Sequence, residues 1–508
     1  MKISIFRFIS KNLVFITLLI IISLGLFMRS YRLSVNPVAL FVDEASIGYN
    51  GYTILSSGKS EAGDLMPIFF YSLEDFRLPI SIYSTVPFIA MLGLNEVAVR
   101  LPSVLYGVLT IFFLYFIGKE IKSKLFGLLA AFIGTTMPWL FHYSRTGFEY
   151  TSYVAFFSLT WLLLFKSLHN NKFIYPAFLV AAITLYTYHP AKLVMPLFLL
   201  GFFIIYRQTY YRAKKTILIG LLIFIVISLP IIISISNGKG MSRFNTISVF
   251  SKNLTPYEKV KKTAYNYFIQ LSPVYFLKGE PSTHTRHFIN GLLPILIVTL
   301  PFLLVGIINI ILTINKPLSQ LLAYLVFLYP LGGAVIIGGP FTSRSVIGAS
   351  LFVVIISIGL STTAHLINRF IAKPVFIVVT TLLILFNFGL FLNYYFVLYP
   401  FKSADFQGWQ YGTKDIVNYF SSHQKSYEDL IMTPEFYFPE IFFKFYAPNN
   451  CSKCKVGLPD KYFNQRRKQL YALTPFYLKN RTEFNYKPVK IIYYPDGQEA
   501  YILTELKK

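Results

Sequence analysis

Twelve apolar runs of 16–23 residues divide this chain of 508 residues. A helix rises about 1.5 Å per residue, so a run of roughly 20 spans the ~30 Å hydrocarbon layer of a bilayer. Backbone polar groups find no water there, and helices are the way a chain of such runs satisfies them. Composition leaves no competing solution. Only 14% of residues are charged and 55% are hydrophobic, whereas soluble domains carry about a quarter charged residues. The 51 Phe and 37 Tyr against 22 acids exclude a disordered, acidic tail. The chain is read as an all-α polytopic membrane protein.

The runs lie at 13–28, 79–94, 101–118, 125–141, 149–165, 173–188, 190–206, 216–235, 291–313, 319–338, 345–361 and 374–396. Six of the connections, the N-terminus, 119–124, 166–172, 207–215, Lys316 and 369–373, together hold fifteen basic residues against one acid, Glu120. Such a bias marks the cytoplasmic side. It accounts for most of the net charge of +25 and removes nucleic acid as the partner to which that charge points. The first run lacks a small-x-small cleavage site and is read as an uncleaved span. Eleven crossings are the working count, with up to thirteen allowed. For the sides to alternate, segment 79–94, which carries Pro79 and Pro87, is either a re-entrant or surface helix, or one loop lies on the other side from the one assigned. Residues 1–396 then form the membrane domain, 29–78 and 236–290 are extracytoplasmic loops, and 397–508 form a small mixed α/β extracytoplasmic domain.

With that topology every unusual polar cluster falls on the outer side. Asp43 and Glu44, flanked by Ala39–Val42, are held near the membrane surface, where a carboxylate can take a proton from a hydroxyl or stabilise a cationic sugar ring. A first helical turn also accommodates acids for purely structural reasons. Arg77, just before Pro79, has the paired donors that match phosphate oxygens, and interfacial anchoring is the competing role. Glu96 and Arg100 stand four apart and are read as a self-satisfying structural pair. Arg145 and Glu149 have the same spacing and read either as lining of a shared outer cavity or as a clamp. His189 and Lys192 occupy a minimal turn between two runs. Lys278, His284, Arg286 and His287 make a cationic mouth, and Arg344 opens a later run. The His-x-x-His spacing lacks a carboxylate ligand set, so no metal site is read. A P-loop and a Rossmann fingerprint are both missing. Cys451 and Cys454 leave a local disulfide, inert thiols and a redox pair all open.

The order of GLFMRSYRL, DEASIGYNGY, LGLNEVAVRLPSVLYGVL, SRTGFE and TYHPAK resembles the superfamily of dolichyl-phosphate-mannose protein mannosyltransferases and aminoarabinose lipid A transferase. The resemblance covers residues 10–395 and is strongest over 25–192. It implies a multi-span glycosyltransferase of the GT-C class in the cytoplasmic membrane, with its active site and C-terminal domain outside. Such an enzyme takes a sugar from a polyprenyl-phosphate donor and transfers it, with inversion, to an acceptor hydroxyl or phosphate. The lipid-linked phosphosugar is a substrate and no cofactor is implied. The partners are the donor, a lipid, glycan or protein acceptor, and membrane lipids. The family's first-loop catalytic aspartate falls on Asp43, with Glu44 as its neighbour, and both are carried forward as catalytic candidates. Arg77, Arg145, Glu149, His189, Lys192, His284, Arg286, His287 and Arg344 are the candidates for donor or phosphate binding. Arg-Leu-Pro at 77–79 stands where many relatives have Lys-Pro-Pro. The rival reading is a flippase or transporter of a sugar-linked lipid.

Overall fold

A computed structural model describes residues 2–278, 285–287, 293–339, 341–369, 371–448, 450–481 and 483–507. The chain opens with helix α1 (Lys2–Ser30), then α2 (Val42–Ser57) and a hairpin of β1 (Phe70–Ser72) and β2 (Asp75–Arg77). There follow α3 (Pro79–Leu92), α4 (Glu96–Ile121), α5 (Lys124–Thr136), α6 (Pro138–Tyr143), α7 (Tyr150–Ser167), α8 (Ile174–Thr184) and α9 (Ala191–Ile205). Later long helices are Lys214–Ser236, Leu300–Leu312, Pro317–Leu328, Ile347–Leu366 and Lys373–Asn393. Among the described residues six helices are long and apolar enough to cross a membrane, and five shorter apolar helices accompany them. The polytopic all-α core expected from the apolar runs is therefore present, and segment 79–94 is a helix of 14 residues.

Burial patterns match a lipid environment. Leu222 on helix Lys214–Ser236 is 60% exposed and Phe386 on Lys373–Asn393 is 68% exposed. Stripes of this kind would be a liability in water and are ordinary against acyl chains. Helix Ile347–Leu366 instead runs through the protein interior, with most of its side chains buried. It lies directly against Leu300–Leu312, because a side chain at Gly306 or Gly359 would collide with the other helix's backbone. Small residues permitting such contact are how membrane helices associate without a hydrophobic driving force.

The C-terminal domain is the mixed α/β unit read from the sequence. Its five-stranded sheet has the order β4-β3-β5-β7-β6, from β3 (Asp429–Met432), β4 (Cys454–Val456), β5 (Gln469–Leu473), β6 (Asn485–Tyr493) and β7 (Glu499–Lys507). β3 pairs in parallel with β4 and β5, while β7 is antiparallel to β5 and β6. Side chains alternate across the sheet. Leu430, Met432, Leu470 and Ala472 pack with Ile416 and Phe420 of helix Thr413–His423 on one face. Ile431 and Tyr471 pack with Tyr477 and Leu478 on the other. Cys451 and Cys454 are joined in a disulfide, the form thiols take in an oxidising, extracytoplasmic compartment.

This domain is tied to the membrane part next to the acidic loop. Lys414 Nζ lies 2.7 Å from Glu96 Oε1, and Lys444 Nζ lies 2.6 Å from Glu61 Oε1. Helix Glu440–Tyr446 packs on α2 where Gly48 leaves room: a Cβ there would stand 2.6 Å from the Phe445 ring.

Candidate active site

The segment 29–78 is mostly structured, and its structure separates the two adjacent acids. Both lie in the first turn of α2, where the helix dipole favours carboxylates. Successive helical residues point about 100° apart, so Asp43 and Glu44 face different neighbours. Glu44 is fully buried. Arg100 Nε and Nη2 each donate to it at 3.0 Å, and the backbone N–H groups of Phe41 and Gly147 donate at 3.2 and 2.6 Å. Arg100 spends its remaining donors on the carbonyls of Leu33, Pro37 and Ala39. Glu44 is therefore a correction to the expected catalytic pair. With both oxygens enclosed it touches no space that a substrate could enter, and it positions the loop. Arg100 pairs with Glu44 across 56 residues rather than with Glu96, whose partner is Lys414.

Asp43 keeps 26% of its side chain exposed and accepts a hydrogen bond from Arg77. Arg77 is aimed there by the β1–β2 hairpin, in which Ser72 opposes Asp75 across the two-residue turn Leu73–Glu74. Both turn residues have positive φ, 54° and 59°, the twist that two-residue hairpins require. The second terminal nitrogen of Arg77 lies 3.6 Å from Glu149 Oε1, so one guanidinium joins the two carboxylates. Leading into α2, the Val42 N–H donates to Gln410 Oε1 at 3.0 Å, a contact from the far end of the sequence.

Around this pair stand further cations. Arg243, in helix Ser242–Ile247, lies 3.3 Å from Asp75 Oδ2. Arg286 stacks 3.9 Å above the Phe41 ring and donates to the Gln407 carbonyl. Arg344 lies over the Tyr188 ring at 5.1 Å and feels the charges of Glu149 and Asp43. Burial pushes the Asp43 carboxyl upward, but the charges of Arg77, Arg243 and Arg286 outweigh it and hold it below the ordinary carboxylate value of 3.8. Asp43 is thus ionised at neutral pH. A lowered value means that the charge survives as pH falls through the usual carboxylate range and is lost only below it. Removing a cation moves that loss to higher pH. In Arg243→Gln the acid limb of the rate profile is expected at higher pH than in wild type, and an unmoved limb would show that Arg243 does not set the charge of Asp43.

Other expected site residues fall elsewhere. Arg145 is fully buried and donates to the carbonyls of Met28, Arg29 and Asn36. It clamps the end of α1 and has no surface for a phosphate. It does not pair with Glu149, because α7 begins only at Tyr150 and helical i,i+4 spacing does not apply before it. His189 is half-buried, and desolvation together with Lys192, Arg344 and Arg243 holds its pKa well below 6.5. Burial and those neighbouring cations favour its neutral form. Lys192 donates to the Gly240 carbonyl at 2.9 Å. The His287 ring lies among Phe148, Tyr150 and Phe341, and its carbonyl accepts from Tyr143 and Thr342. His284 lies outside the described residues. Among the described residues no group of three or more His, Cys, Asp or Glu side chains is placed to hold a metal ion. Arg243 was not singled out as a site residue from sequence, where an arginine in a basic loop is the one signal it offers.

Residues 79–233 match the family model described as dolichyl-phosphate-mannose-protein mannosyltransferase. That stretch contains Arg100, Arg145, Glu149, His189 and Lys192 but not Asp43 or Arg77. No curated protein matches the chain by sequence. Among solved structures, ArnT from Cupriavidus metallidurans bound to undecaprenyl phosphate is similar over 96% of this chain and 97% of its own, at TM-score 0.61 and 11% identity. The Archaeoglobus fulgidus oligosaccharyltransferase tethered with an acceptor peptide is similar over 99% of this chain and 77% of its own, at TM-score 0.56 and 11% identity. The archaeal oligosaccharyltransferase AglB from Archaeoglobus fulgidus, in complex with an inhibitory peptide and a dolichol-phosphate, matches at TM-score 0.54 and 12% identity, over 87% of this chain and 64% of its own. These likenesses establish the fold. The matched segment, residues 79–233, is similar to the mannosyltransferase family to which the motifs pointed.

Proposed function

We propose that this member of the lipid-phosphosugar glycosyltransferase superfamily transfers a glycosyl group from a polyprenyl-phosphate sugar to an extracytoplasmic acceptor hydroxyl or phosphate. One observation carries the reading: an ionised, partly exposed carboxylate, Asp43, stands beside Arg77 and within the field of Arg243, Arg286 and Arg344. A carboxylate orients an acceptor, and arginines receive a phosphate leaving group. The similar ArnT structure holds undecaprenyl phosphate and a structure of AglB holds a dolichol-phosphate, which supports a lipid-phosphate donor here.

In this reaction the acceptor oxygen forms a bond to the anomeric carbon as the bond from that carbon to the phosphate oxygen breaks. The electron pair leaves with the phosphate, whose growing charge the arginines stabilise. For a hydroxyl acceptor the proton passes to Asp43. A phosphate leaves without protonation, so no second carboxylic acid is required, unlike in glycoside hydrolysis. Attack opposite the phosphate in a single displacement inverts the anomeric centre. Glu149 and Arg77 fix the angle of Asp43, and Glu44 with Arg100 fixes the loop. The C-terminal domain holds α2 from outside through Gln410 and Phe445.

Reconstitution with labelled polyprenyl-phosphate sugars and extracytoplasmic acceptor fractions tests the reading. Labelled, anomerically inverted product is expected. Movement of the labelled lipid between leaflets with no product would replace the transferase with a flippase.

A further inference from the structure

At the end of the membrane domain away from Asp43 lies a recess that the transfer reaction does not use. Glu96 opens α4 beside the outer domain, and Lys122 follows the end of the same helix, which at about 1.5 Å per residue is roughly 40 Å away. The recess, about 270 Å³, is bounded by the α4–α5 turn and by helices Leu300–Leu312, Pro317–Leu328 and Ile347–Leu366. A second hollow of about 150 Å³ shares Ile121 and Leu318 with it.

Its lining is split by chemistry. Exposed Lys122 and Lys316 stand at the mouth. Lys122 Nζ donates to Ser361 Oγ at 2.7 Å, the Thr313 and Ser319 hydroxyls lie 2.7 Å apart, and Asn309 Nδ2 donates to Thr362 Oγ1 at 3.4 Å. Ile310, Leu322 and Ile358 form the apolar wall. Among the described residues neither lysine is ion-paired, and the one nearby acid, Glu120, lies 3.5 Å from His169 Nε2 instead. Two ammonium groups and a row of hydroxyls suit a phosphate diester, and an apolar wall beside them suits the start of an acyl chain. A free anion would have no use for the wall, and a bare acyl chain none for the hydroxyls.

We propose that this recess binds the headgroup of an anionic phospholipid from the cytoplasmic leaflet, a lipid site separate from the outer donor site. Lys122 and Lys316 hold the phosphate, Ser361 and Thr362 face its ester oxygens, and the chain lies along Ile310 and Ile358.

The full chain, purified and reconstituted in vesicles of phosphatidylcholine doped with spin-labelled phosphatidylglycerol or spin-labelled phosphatidylcholine, gives the test. At about 1 kcal/mol per lysine near an anionic lipid, the two lysines are expected to favour phosphatidylglycerol about 30-fold. Lys122→Gln with Lys316→Gln is expected to abolish that preference, and each single variant to lower it about fivefold. Both side chains are exposed, so the variants are expected to melt like wild type, and the single variants decide the matter if the double one does not fold. Equal retention of the two lipids by wild type, or a preference unchanged in all the variants, would overturn the proposal.

Discussion

Replacing Arg100 with leucine is expected to cost about 3–5 kcal/mol of stability, the cost of breaking a buried ion pair by removing one partner. Both side chains are fully shielded. Without Arg100, Glu44 retains only the N–H groups of Phe41 and Gly147, and the carbonyls of Leu33, Pro37 and Ala39 lose their donor. Those carbonyls lie in the segment joining α1 to α2, so the loop carrying Asp43 loses its anchor as well. Thermal unfolding in detergent measures the loss. Changing Glu44 as well, to leucine, is expected to restore part of it, because the uncompensated charge then disappears. A shift below about 1 kcal/mol for Arg100→Leu would mean that the pair does not hold the loop.

The contrast between Glu44 and Asp43 shows where sequence reasoning reaches its limit. Apolar length and loop charge made the membrane helices legible, since both signals are local and repeat along the chain. Long-range pairing was not. Spacing put Arg100 with Glu96, and on α4 they do share a face, yet Glu44 offers a buried two-pronged acceptor that no local pattern encodes. Arg145 and Glu149 share the same spacing but precede α7, so they point apart. The hairpin that aims Arg77 turns at Leu73–Glu74 without the Asn-Gly or Asp-Gly signal by which such turns are usually read. Gln410 reaches the start of α2 from 368 residues away.

Asp43 carries the central chemical claim. Asp43→Asn keeps the size and shape of the side chain and leaves Arg77 an oxygen to bond, but it removes the charge and the ability to take a proton. General-base groups contribute about 10²–10⁴-fold, so transfer is expected to fall by about that factor. The arginines that receive the phosphate remain, so donor binding is expected to persist. The most direct measurement is the initial rate of labelled-sugar transfer in vesicles carrying wild type or Asp43→Asn, at matched amounts of folded protein and bound donor. A loss of about 100-fold or more with donor still bound is the expected result, and equal rates from a well-folded variant would contradict a catalytic role for Asp43.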